Sequence, residues 1–536
     1  MKARSPSEPA DSVDPALPRV GEEIEPIVVE EPPEPIGTQE RVDVAELPDL
    51  LAPGEELDLR GYLGLRRFMG AAARWAVLAC IVGVVSGVGA SLFIAGLNEL
   101  IRGVDDVRSA LPWWLIFLFP PIGGFAVGYL LWRTDRVAFV SACGTDSFID
   151  AVEEADGRIS PRVPALRILG AWLTIGFGGS SGRECPMIYT GSGLGSTVGA
   201  VLERVRSRAP APIAQFLDLS PADTRMLALC GAAGALGAVF SAPFGGAIFA
   251  VEVPYRRDAN MGFFWPALVS SFSGFGVGYL LVGRQQLLKA PIVHDLRWPE
   301  WALVAAIAVA ASLVGRLFAG VFNGFHELVR RTFREEGGRI PKWCQTGIGG
   351  VFAGLVMVAF PQVYGIGYQA IHDTADGRLF SNHTAVVVVL LFAGMGVAKM
   401  VAASFTVGTG GVGGLLFPTM FTGAALGGLM ATSAEHLWPG RFPHNAAYIL
   451  IAMSATYAAA GKVPIASLLL LCEATANFSL ALPMAAANAL AYALSGRSTV
   501  YDVQRERSEG DHRRGYLVAT LALVLIVLFG QHVVAI

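Results

Sequence analysis

The chain has 536 residues, of which 53% are hydrophobic and only 16% charged, with a formal net charge of −4 and a mean hydropathy of +0.52. Soluble globular chains carry about 25% charged residues, so an ordinary soluble domain is excluded and a polytopic membrane protein is indicated. The slightly acidic balance gives no reason to expect a nucleic-acid partner.

Residues 1–60 stand apart from the rest. They hold 16 acidic and 5 basic residues, many prolines and no sustained apolar run, the composition of a disordered tail. No cationic region precedes an apolar stretch, so no cleavable signal peptide is expected. The first membrane segment must direct its own insertion. Arg66, Arg67 and Arg74 flank it, which favours a cytoplasmic N-terminus in a multi-pass protein of the plasma (inner) membrane.

Apolar runs follow at 68–102, 111–132, 165–201, 224–253, 262–282, 299–325, 345–360, 384–434, 446–495 and 515–536. A span needs about 20 apolar residues, and several runs fit one helix while others do not. Residues 400–434 carry no charge yet contain GTGGVGGLLFP. Backbone broken at membrane depth is tolerated only where it is buried in protein or lines a polar path, so broken and re-entrant helices are expected. The polar stretch 504–514 precedes an apolar segment, 515–536, long enough for one more span. The division is a tail at 1–60, a membrane domain at 61–503 and a linker with an extra helix at 504–536.

The six cysteines, Cys80, Cys143, Cys185, Cys230, Cys344 and Cys472, have no paired spacing and read as small buried hydrophobes. The histidines show no metal-ligand spacing, so no metal is expected. Three glycine-rich elements remain: ACGTDS at 142–147, GRECP at 182–186 and GGLLFP at 413–418. Each leads into an apolar helical stretch. A helix N-terminus offers unpaired N–H groups and partial positive charge, and glycine lets a ligand approach the backbone. Several such ends meeting in the membrane would hold an anion without trapping it as a fixed lysine would. Glycine-rich segments also mark close helix–helix contacts. Within GRECP, Arg183 and Glu184 are adjacent, and an intramembrane carboxylate reads as functional.

These elements, with SAPFGGAIFAVEV and a late tyrosine, resemble the CLC chloride channels and proton-coupled chloride transporters, from about residue 65 to 502. That family's GREGP motif is matched by Gly182-Arg183-Glu184-Cys185-Pro186 and its GGxFxP motif by Gly413 to Pro418. Its GSGIP motif is matched, with a marked departure, by Ala142 to Asp146. The resemblance implies an all-α inverted-repeat fold and a homodimer with one pore per subunit. It implies an anion path formed by Cys143, Gly144, Thr145, Arg183, the Leu415 and Leu416 amides and the Tyr501 hydroxyl. Chloride and similar anions are then the transported ligands, membrane lipid is the surrounding partner, and no cofactor or enzymatic activity is implied.

Glu184 becomes the gate: ionised, it occupies the anion position; protonated or displaced by chloride, it swings away. Pairing with Arg183 is disfavoured because adjacent helical side chains diverge. Two departures bear on mechanism. Cys143 stands where many relatives carry serine, and a thiol donates weakly, so Thr145 is a candidate substitute. Val253 stands where proton-coupled relatives carry an inner glutamate, with Glu252 beside it as a structural residue. Valine relays no proton, which favours a passive channel over an antiporter. Asp146 and Asp150 fit an N-cap and first helical turn. Glu473 fits either a helix interface or a pore vestibule. An intramembrane serine protease, suggested by GSSG at 179–182, lacks a suitably placed histidine. A fluoride-specific exchanger would carry asparagines absent from the first motif.

Overall fold

The computed structural model describes residues 55–134, 143–284, 296–333, 341, 343–380 and 383–507, with side chains of the first helix described from Ala72 onward. Residues 1–54 of the expected tail, Ala142 and the expected span at 515–536 lie outside the described residues. The chain divides into two compact units, Met1–Arg66 and Arg67–Ile536. Only the start of a helix, at Glu55, is described for the first.

Seventeen α-helices and no β-strand occur among the described residues. In chain order they are α1 (Glu55–Ser109), α2 (Phe119–Thr134), α3 (Gly144–Glu153), α4 (Arg162–Gly176), α5 (Glu184–Arg206), α6 (Ala211–Phe216), α7 (Pro221–Phe240), α8 (Pro243–Glu252) and α9 (Phe264–Val282). The second half holds α10 (Trp298–Thr332), α11 (Cys344–Ala359), α12 (Tyr368–Ala375), α13 (Ala385–Val407), α14 (Leu416–Leu437), α15 (Asn445–Gly461), α16 (Pro464–Thr475) and α17 (Ala481–Leu494). Six helical stretches are long and apolar enough to cross a membrane: Ala72–Ser109, Trp113–Thr134, Pro221–Phe240, Met261–Val282, Trp298–Thr332 and Ala385–Val407. The protein is an integral, multi-pass membrane protein.

The long apolar runs break where their residues require it. The 165–201 run splits at the glycine-rich turn between α4 and α5, and the 384–434 run splits between α13 and α14. The 224–253 run turns at Ser241 and the 446–495 run at Lys462, both left-handed (φ 51° and 60°). Each of those two turns is followed within two residues by a proline at the first helical position, Pro243 or Pro464, where its missing N–H costs nothing and its φ suits the helix.

This repeated turn belongs to a repeated fold. In the first half α5 packs on α7, and α7 on α8 and α9; in the second, α14 packs on α15, and α15 on α16 and α17. Across the halves α2 meets α11 and α8 meets α16. The last pair is closed by two carboxylates. Glu252, at the end of α8, accepts the amides of Ile465 (3.2 Å) and Ala466 (2.7 Å) at the start of α16. Glu473, near the end of α16, accepts the amides of Phe244 (3.1 Å) and Gly245 (2.7 Å) at the start of α8. Reciprocal capping requires the two equivalent helices to run antiparallel, as an inverted repeat does. Glu473 therefore serves a helix interface, and Glu252 is held by α16.

Arginines near the start of the first span, the end of α5, the start of α7 and the end of the described chain are held by ion pairs. Arg74 donates to the Phe216 carbonyl (2.9 Å) and pairs with Asp223. Arg206 pairs with Asp218, Arg225 with Asp156, and Arg505 with Glu153 and Glu154.

Candidate anion site

Three helices begin at one place. Cys143, which precedes α3, bridges Gly413, and Gly182 pairs antiparallel with Gly414 through two N–H···O bonds of 2.9 Å. These short bridges tie the starts of α3, α5 and α14 together, so their N-terminal N–H groups share one buried space. The Leu415 and Leu416 amides make no backbone hydrogen bond among the described residues, which leaves them available to an anion. Glycine is required here by space: a Cβ on Gly182 would overlap the Glu184 carboxylate, and one on Gly414 would lie 2.9 Å from Glu184 Oε1.

Glu184 is fully buried. Its Oε1 accepts the Phe417 amide at 2.7 Å, in the first turn of α14. Its Oε2 is buried with no hydrogen-bond partner. A carboxylate thus lies on the helix dipole of α14, with one oxygen bound and the other open to a proton. Arg183 makes no ion pair with it; the guanidinium lies 5.2 Å from the Tyr368 ring centre instead. Tyr368 also lines a cavity of about 470 Å³ bordered by Asp105, Arg108, Tyr364 and Gln369.

Two phenols are buried close to Cys143 and Cys185. Tyr501 and Tyr457 are fully buried, and their hydroxyls are 2.9 Å apart. Tyr457 is stacked on Phe249. One O–H is used within the pair, so the other remains to donate elsewhere. The Thr145 hydroxyl donates to the Cys185 sulfur at 2.9 Å. The α3 N-cap is Cys143, with Asp146 in the first turn. Asp150 lies one turn further along, beyond the first turn.

The structure brings Cys143, Gly144, Thr145, Glu184, Leu415 and Leu416 together. Arg183 adjoins them but points to Tyr368. Val253 is fully buried at the end of α8, and its carbonyl accepts Gln504 at 2.8 Å. Sequence reasoning assigned no part to four residues found in or near this region: Phe417, Cys185, Tyr457 and Lys399. The ammonium of Lys399 is fully buried and donates to the carbonyls of Val363 (3.3 Å), Gly365 (2.8 Å) and Ile366 (3.0 Å). It was legible as the single charge in the whole 384–434 run. Phe417 acts through its backbone and Tyr457 sits among alanines, so neither left a side-chain signal.

Known proteins bear on this geometry. Residues 123–496 match the family model described as voltage gated chloride channel. A ClcB-like protein of Ralstonia nicotianae is 27% identical over 427 residues, covering 79% of this chain and 92% of its own length. The voltage-gated ClC-type chloride channel ClcB of Escherichia coli O9:H4 is 25% identical over 415 residues, covering 75% and 91%. Two solved structures share the fold. One is a CLC-type fluoride/proton antiporter (TM-score 0.63, 22% identity, 81% of this chain and 98% of that one). The other is a slow cyanobacterial Cl⁻/H⁺ antiporter (TM-score 0.64, 20% identity, 80% and 96%). The chain belongs to the voltage-gated chloride channel (CLC) family of membrane anion transporters.

Proposed function

We propose that this protein conducts chloride passively, with the Glu184 side chain as its gate. The observation that carries the gate is the fully buried Glu184 carboxylate on the Phe417 amide with its second oxygen unpartnered. An ionised carboxylate there is a tethered anion competing with chloride for the same helix ends. Adding a proton at Oε2, or raising chloride, releases it. Below the gate, the Leu415 and Leu416 amides and the free O–H of the Tyr457–Tyr501 pair hold the next anion. Tyr457 supplies the second hydroxyl that Cys143 lacks. None of these donors carries a full charge, so the ion can leave again.

Passive flow rests on Val253, which cannot titrate, and on Glu252, whose carboxylate is turned to the start of α16. The rival reading, chloride/proton exchange, is favoured by the structural neighbours, both described as antiporters. Chloride flux from liposomes, with pH followed at the same time, separates the two. The proposal includes a homodimer with one pore per subunit in the plasma membrane and a cytoplasmic N-terminus. Arg66, Arg67 and Arg74, at the start of the first apolar run, support that orientation.

A further inference from the structure

We propose that a basic cavity at the Tyr501 end of the bundle binds a phosphate-bearing anion. The cavity, about 450 Å³, lies where the C-terminal ends of α8, α15 and α17 meet. Its wall carries five cations, Arg256, Arg257, Lys462, Arg497 and Arg507, against two carboxylates, Asp258 and Glu506. Two carboxylates against five cations leave an excess of positive charge. Arg497 lies 3.6 Å from Glu506, whereas Arg257 and Arg507 are exposed and make no ion pair among the described residues. Lys462 is buried with its ammonium on the Ser495 hydroxyl (2.5 Å) and the Gly496 carbonyl (2.9 Å), 5.6 Å from the Tyr492 ring centre. The Arg256 Nε is buried without a hydrogen-bond partner.

Like charges held this close repel one another, and helix C-termini offset only part of that. A ligand with several anionic oxygens relieves it. The volume falls in the range of small-molecule sites and far exceeds one halide. Guanidinium forks match phosphate oxygens two at a time, an advantage a monovalent spherical ion cannot use. Hydrogen bonds link the cavity to the segment that carries Tyr501. Arg256 donates to the Asp502 carbonyl, next to Tyr501, and Gln504 donates to the carbonyls of Val253 and Gly461, which flank the cavity. A bound phosphate group braces the segment that carries Tyr501.

The source of the phosphate is a soluble ligand or a lipid headgroup, and the experiment has an arm for each. Full-length protein in detergent is titrated calorimetrically with inorganic pyrophosphate at physiological salt. Protein in phosphatidylcholine nanodiscs is melted with and without phosphatidic acid. Saturable pyrophosphate binding indicates a soluble ligand; a raised melting temperature with phosphatidic acid indicates the headgroup. In whichever arm responds, Arg257→Ala/Arg507→Ala weakens the response about tenfold, as losing charge-assisted hydrogen bonds requires, while Arg102→Ala, distant from the cavity, does not. Both substituted arginines are exposed, so the double variant folds, and its chloride flux without ligand stays at the wild-type rate. No response in either arm, or an equal response from the double variant, overturns the proposal.

Discussion

Replacing Glu184 by glutamine removes the charge and keeps the shape, and the size of the effect follows from one hydrogen bond. The Phe417 amide donates to Glu184 Oε1 at 2.7 Å in a fully buried setting. A hydrogen bond to a charged group is worth about 1.5–3 kcal/mol and a neutral one about 0.5–1.5 kcal/mol. Glutamine can still accept that amide, so the side chain's hold on the anion position weakens by about 1–1.5 kcal/mol. Chloride then competes about tenfold better for the position. Chloride efflux from liposomes, read with an ion-selective electrode over a series of pH values, should rise several-fold at neutral pH in Glu184→Gln. Wild-type efflux should rise as pH falls, because a proton on Oε2 removes the competing charge, and the variant should respond little. A Glu184→Gln protein of wild-type melting temperature that keeps the full pH response would place the gate elsewhere.

Four further outcomes are expected. Lys399→Met leaves the Val363, Gly365 and Ile366 carbonyls without their buried donor and should cost about 2–3 kcal/mol, seen as a lower melting temperature. Glu473→Ala and Glu252→Ala each strip two amides of their acceptor at equivalent ends of the repeat, so both should destabilise by similar amounts, about 2 kcal/mol each, seen as lower melting temperatures; a silent Glu473→Ala would contradict the reciprocal capping. Tyr457→Phe removes one of the paired hydroxyls and should weaken chloride binding several-fold in calorimetric titration, for a loss of about 1 kcal/mol, whereas unchanged affinity would remove Tyr457 from the site. Raising ionic strength with an inert salt should weaken pyrophosphate binding at the Arg257 and Arg507 cavity, since exposed charges are screened; salt-independent binding would argue against it.

Much of this architecture was legible because the breaks are written in residue types. GGSSGR, GTGGVGGLL and the turns before Pro243 and Pro464 interrupt apolar runs that hydrophobicity alone would join. Glu184 stood out because charge in a membrane segment is costly. Cys143, Gly144, Thr145, Leu415 and Leu416 were placed near it by the family resemblance; the residues alone showed only glycine-rich elements leading into helices. Other parts follow from three-dimensional proximity and leave no local mark. Glu473 could serve an interface or a vestibule until α16 was seen to run antiparallel to α8. That the Thr145 hydroxyl donates to Cys185, forty positions later, is likewise visible only in the fold. Tyr457 is one polar atom in an alanine-rich helix, and its meaning depends wholly on Tyr501.

The central claim, passive conduction past a carboxylate gate, is tested most directly by driving chloride down its gradient across liposomes while recording pH on both sides. With Val253 unable to titrate and Glu252 bound to the start of α16, chloride should move without stoichiometric protons, and the reversal potential should stay fixed when a pH gradient is imposed. Reproducible uphill proton movement, or a reversal potential that follows the pH gradient, would contradict the claim and make the protein a chloride/proton antiporter.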